Sequence, residues 1–194
     1  MRTTPCAGVA TEILFTAMES PDELEFSPLD QSSARPLLRA LGLSDWHVGP
    51  HVRRDARGWK TSEETVDRLL IATIRPAFQE ELALAVAVTD KRPRAAALVG
   101  ADLIGPVDME PANIDRVARS WPAGEEWTAP GWITLDGFRM DVVLSKNGAS
   151  TRVRFSAADA LGDFSAAMLR LIAGIAEDSA SARLRQWLAA LEPR

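Results

Sequence analysis

Cysteine occurs once in the 194-residue chain, as Cys6, histidine twice and lysine three times, while tyrosine is absent. A single thiol excludes an intrachain disulfide and a thiolate metal cage, and it reads as an incidental free cysteine near the amino end. No apolar run approaches the ~20 residues that a membrane-spanning helix needs. The opening Met1-Arg2-Thr3-Thr4-Pro5-Cys6 leads into a short apolar stretch broken by Glu12, a poor secretory signal, so a cytoplasmic protein is expected. Catalytic signatures are missing too: there is no G-x-S-x-G elbow, no G-x-x-x-x-G-K-[ST] loop and no H-E-x-x-H. Gly100 and Gly105 lack the spacing of a dinucleotide fingerprint. Pairs such as Asp108 with Glu110, and Glu125 with Glu126, carry no mark of an acid and base set apart in pKa and read as surface charge. The net charge of −5 argues against sequence-independent nucleic-acid binding, which depends on neutralising many phosphates.

What is present fits an ordinary globular protein, 46% hydrophobic and 25% charged, without repeats or low-complexity tracts. The length suits one domain over 1–194, with a subdivision near 105–111 as the alternative. Abundant arginine and alanine beside scarce lysine suggest GC-rich bacterial coding.

The patterning predicts an α+β fold, an antiparallel sheet covered by helices. A strand is expected over Ala10–Met18, pairing with Leu24-Glu25-Phe26, and then a helix over Ala34–Leu41 capped by Ser33 and stopped at Gly42. Thr61-Ser62-Glu63-Glu64 has capping-box form, and Val66, Leu69, Leu70 and Thr73 continue at helical spacing, so a helix is expected up to Arg75. Leu82–Thr89 reads as either helix or strand; a buried hairpin with Ala95–Ile104 is preferred. Pro111 opens a helix carrying Ile114, Val117, Ala118 and Trp121. A three-stranded meander is expected at about 132–155, from Trp132–Leu135, Phe138–Leu144 and Thr151–Phe155, with turns at Asp136-Gly137 and Asn147-Gly148. Its alternation puts Phe138, Met140, Val142 and Leu144 on a core face and Arg139 and Asp141 on a solvent or interface face. Two closing helices, with stripes Phe164/Met168/Leu171/Ile172/Ile175 and Leu184/Trp187/Leu188/Leu191, are the expected cover.

Imidazole, guanidinium and indole groups concentrate in one segment, Asp45 to Lys60. His47 and His51 flank Gly49-Pro50, which rules against a regular helix but permits a loop that converges both rings on a metal, with Asp45 or Asp55 as third ligand. The same histidines would be the acid–base groups if the protein were an enzyme. Arg53, Arg54, Arg57 and Lys60 precede the expected helix and would form, with its free amides, a site for a phosphate or carboxylate; Glu63, Glu64 and Asp67 compete for them. With no tyrosine, the aromatic anchors are indoles: Trp127, in an acidic loop without periodicity, is the leading candidate for partner binding, joined by Trp46 and Trp59. These observations favour a non-catalytic protein-interaction protein — a toxin-neutralising partner, an adaptor or an accessory subunit — with another protein or peptide as partner and no cofactor. The alternative is an enzyme acting on an anionic small molecule or peptide through the 45–60 segment.

Overall fold

The computed structural model describes residues 31–54, 56–76, 79–89, 92–121, 138–147, 149–157 and 162–191. The expected strands at Ala10–Met18, Leu24–Phe26 and Trp132–Leu135, the Asp136-Gly137 turn and the Trp127 loop lie outside them. The described residues form an α+β fold with an antiparallel sheet and helices on both of its faces. In chain order these are α1 (Gln31–Leu41), β1 (Gly49–Arg54), β2 (Lys60–Pro76), β3 (Leu82–Thr89), β4 (Pro93–Val99), β5 (Asp102–Asp108), α2 (Pro111–Arg119), β6 (Phe138–Lys146), β7 (Ala149–Ala157), α3 (Asp163–Asp178) and α4 (Ala182–Ala189).

Strand order across the sheet is β5-β4-β3-β2-β6-β7, every pairing antiparallel, with β1 paired to β2. β2 is the axis of the molecule. Its residues 68–74 are hydrogen-bonded to β6 on one side and β3 on the other, whereas 60–66 pair with β1. Gly49 and Lys146 sit opposite Val66 and Arg68, so β1 and β6 lie end to end along the same edge of β2. The β1–β2 hairpin is therefore a two-stranded ribbon continuing the central strand past the end of β3.

β2 replaces the helix expected at Thr61–Arg75, and the reason is physical. Both faces of the sheet are covered, so residues 69–74 are all buried and polarity does not alternate along the strand. A register shift between Val66 and Arg68 then moves the phase by one residue. Val66, Leu69 and Ile71 consequently share one face and Leu70, Ala72 and Ile74 the other. The three-residue step from Val66 to Leu69 imitates helical spacing, but it is a bulge.

β3 resolves the ambiguous segment as a strand, buried at every residue, and it pairs with β4 as the preferred hairpin requires. Its alternation is one of size: Leu82, Leu84, Val86 and Val88 face one core, and Ala83, Ala85 and Ala87 the other. The run expected as one strand, Ala95–Ile104, is two strands, because Gly100 at φ +60 turns the chain from β4 into β5. The larger core holds the Leu/Val face of the sheet under α2, α3 and α4, including Phe164, Met168, Leu171, Ile172 and Ile175 as expected. Ile114 and Val117 of α2 join it, and Trp121 meets Phe164 edge-on at 5.3 Å. α1 covers the alanine face through Leu37 and Leu41, with Leu43, Trp46 and Val48 alongside. Ser33, expected as its cap, lies within the helix, and Gly42 at φ +72 ends it as expected.

β6 and β7 form the predicted hairpin with Asn147 at φ +53, and Met140 and Val142 are buried in the larger core. The opposite face of β6 is less open than the alternation suggests. Val143, opposite Ile71, is only 2% exposed, and Asp141 is held by the Arg152 guanidinium through bonds of 2.8 and 2.6 Å. At α3, Gly162 takes the N-cap position and Asp163 supplies first-turn negative charge to the helix dipole. Among the described residues no helix is long and apolar enough to cross a membrane.

Candidate functional site

The 45–60 segment folds as the connection from α1 into the β1–β2 hairpin, and it presents two distinct features: a histidine cluster at the root and an indole at the tip.

At the root, Gly49 adopts φ +143, a conformation that L side chains rarely take, and this reverses the chain between the two histidines. A Cβ at Gly49 would lie 3.4 Å from the His47 ring, so the glycine also leaves that ring room. The rings of His47 and His51 stack with centroids 4.2 Å apart and planes 16° from parallel. His51, on β1 opposite Glu64, is only 3% exposed. Its Nε2 lies 3.0 Å from the His47 carbonyl oxygen, which can only accept, so Nε2 carries the proton and donates. In the neutral ring Nδ1 is then the lone-pair nitrogen, and it faces Ser44 Oγ at 3.3 Å. His47 is exposed and pairs through Nδ1 with Asp45 Oδ1, which also accepts the His47 backbone N–H at 3.1 Å. One ligand-capable atom from each of Asp45, His47 and His51 lies within 4.8 Å of the other two. The fold thus brings together the two histidines and Asp45; Asp55, the other carboxylate weighed as a third group, lies outside the described residues. The Ser44 hydroxyl carries no periodicity or motif, and sequence reasoning passed over it.

At the tip, residues 56–59 connect β1 to β2, and Trp59 is 73% exposed. Arg57 is exposed as well, and Lys60 forms an ion pair with Glu63. Val52, on β1, is another large apolar side chain left exposed, at 38%. Arg53 and Arg54 pair through their backbones with Ser62 and Lys60, with a register shift between them. Trp46 is partly buried and packs against the smaller core. Glu64 is held 2.7 Å from the Arg94 guanidinium of β4, which ties the ribbon to the sheet.

The anion site expected at a helix start loses its structural basis. Lys60–Pro76 is a strand, so no helix start gathers free N–H groups at Thr61. The basic residues instead decorate a hairpin.

No family model, curated protein or solved structure matches this chain. The geometry of the hairpin and its root therefore carries the functional argument.

Proposed function

We propose that this protein is a non-catalytic interaction protein that engages a partner protein through the β1–β2 hairpin, with Trp59 as the anchor. The observation that carries the reading is the 73% exposure of an indole at the end of a ribbon that runs past the sheet. An exposed tryptophan leaves a large apolar area in water, and its burial on binding is favourable at small entropic cost because only two side-chain torsions must be fixed. Val52 adds apolar area on the same ribbon, and Arg57 and the Lys60–Glu63 ion pair lie beside it. The partner surface that fits is an apolar pocket with a polar rim. Among the described residues, no strand pairs with 60–65 on the side away from β1.

The test is affinity capture from the cells that make the protein, comparing wild type with Trp59→Ala, Arg57→Ala/Lys60→Ala and Trp127→Ala. A single stoichiometric partner lost with Trp59→Ala, while the variant keeps its thermal midpoint, supports the reading. A partner retained by Trp59→Ala but lost with Trp127→Ala overturns the placement of the surface. Capture of no partner by any form overturns the reading itself and favours the enzyme alternative.

A further inference from the structure

We infer that Asp45, His47 and His51 form a binding site for a divalent transition-metal ion of the zinc class at the root of the hairpin. The inference is independent of the partner reading, since it concerns different side chains and a different ligand.

The donor set is the first argument. Two imidazoles and one carboxylate suit zinc and its neighbours, and three protein ligands leave one coordination position for water or another group. Position is the second. At bond lengths of about 2.0–2.1 Å, the donors of a tetrahedral zinc centre sit about 3.3 Å from one another. The three candidate atoms already lie within 4.8 Å of each other, so closure onto an ion requires shifts on the order of 1 Å, which side-chain rotation supplies.

Preorganisation is the third and strongest argument. A metal-binding histidine ordinarily donates its other ring N–H to a carbonyl or carboxylate, which fixes the tautomer and aims the free lone pair. His51 does this already: Nε2 is committed to the His47 carbonyl at 3.0 Å, and burial holds the ring so that Nδ1 remains the metal-facing nitrogen. Ser44 Oγ lies 3.3 Å from that Nδ1 and 3.4 Å from Asp45 Oδ2, so a small exposed hydroxyl occupies the point where two of the ligands converge. Rotation of the Ser44 side chain frees that point for an ion. His47 must also move, because nearly parallel rings direct their lone pairs side by side rather than toward a common centre. Its side chain is 44% exposed, so it can turn about χ1 and χ2 once its Nδ1 gives up the Asp45 carboxylate. Asp45 Oδ1, already beside that ring, then exchanges the His47 contact for the ion.

The chain contains two histidines and one cysteine, which makes the test clean. Chelator-treated protein is titrated with Zn2+ by calorimetry, and with Co2+ by visible absorption. One ion per chain is expected, with a Co2+ spectrum of low coordination number. His47→Ala and Asp45→Asn, both at exposed positions, should each weaken binding at least about tenfold, with unchanged far-UV circular dichroism. Ser44→Ala should bind at least as tightly as wild type, because it removes a competitor for Nδ1 and not a ligand. Cys6→Ser should bind as wild type does. Absence of stoichiometric binding, unchanged affinity in the His47→Ala/Asp45→Asn double variant, or loss of binding in Cys6→Ser would each overturn the site.

Discussion

Replacing Gly105 with alanine tests how firmly the edge of the sheet is built. Gly105 lies in β5 at φ +96, and a Cβ added there would sit 2.7 Å from the Ala95 carbonyl oxygen, 3.2 Å from Val107 N and 3.3 Å from Ala96 Cα. All three are backbone atoms, so no side chain can swing away to relieve the contact. The register explains the crowding: Ala95 pairs with Val107 and Ala97 with Ile104, which sets Gly105 and Pro106 of β5 against Ala96 alone, a bulge. Two costs add. An L residue at this φ loses about 1–3 kcal/mol, and displacing packed backbone costs about 1–3 kcal/mol more. The expected loss is about 2–6 kcal/mol, or roughly 4–24 °C in thermal midpoint for a chain of this size. Gly58→Ala is the matched control: φ is +80, but nothing lies within 4 Å of the added methyl, so only the conformational cost of about 1–2 kcal/mol applies. Urea unfolding followed by far-UV circular dichroism measures both. The reasoning is refuted if the two losses are equal, or if Gly105→Ala loses under about 1 kcal/mol. A small loss accompanied by a fall in the denaturant slope would refute it as well, since β5 would then have peeled from the sheet rather than borne the strain.

Further outcomes follow from the same geometry. Leu84→Ala, at a fully buried position on the larger core, should cost about 2–5 kcal/mol in urea unfolding. Ser181→Ala should cost about 1 kcal/mol, because the Ser181 side chain accepts the Leu184 N–H at the start of α4. A double-mutant cycle on Asp141 and Arg152, whose cross-strand pair is two-pronged and half-buried, should return a coupling of about 0.5–1 kcal/mol in its favour. Trp59→Ala should leave stability within about 0.5 kcal/mol of wild type, and a larger loss would mean that the indole serves the fold.

The parts of the fold legible in the sequence were those with one wet face. The stripes of α2 and α3 alternate apolar with polar at helical period; that of α3 is buried as the pattern predicts, and in α2 Ile114 and Val117 are buried while Ala118 and Trp121 are partly so. The β6–β7 hairpin was legible because Asn147 supplies the positive φ its turn demands. β2 was not, because a strand covered on both faces loses its polar alternation, and the bulge beyond Val66 left a three-residue step that counts like a helix. That one misreading also generated the expected anion site, whose amides belonged to a helix that does not exist. At the candidate site, the closeness of His47 and His51 was readable from their spacing about Gly49-Pro50. The nearness of the Ser44 hydroxyl was not, since it depends on how α1 delivers the chain to β1. Trp59 was visible as one indole among several, and only the projecting ribbon distinguishes it from Trp46, which packs against the smaller core.

The length of β2 has a mechanical consequence. A 17-residue strand spans roughly 55 Å at about 3.3 Å per residue, and a single chain direction runs from the hairpin tip through the middle of the sheet. Anything that grips the tip therefore loads the central strand along its axis. Tension of that kind shears the ladders with β3 and β6 together instead of unzipping them one bond at a time. β1 and the start of β2 are already paired backbone to backbone, so docking need not fix those residues, which would otherwise cost about 1–2 kcal/mol each. The hairpin is best regarded as a stiff finger rooted in the innermost strand of the protein, suited to holding under load.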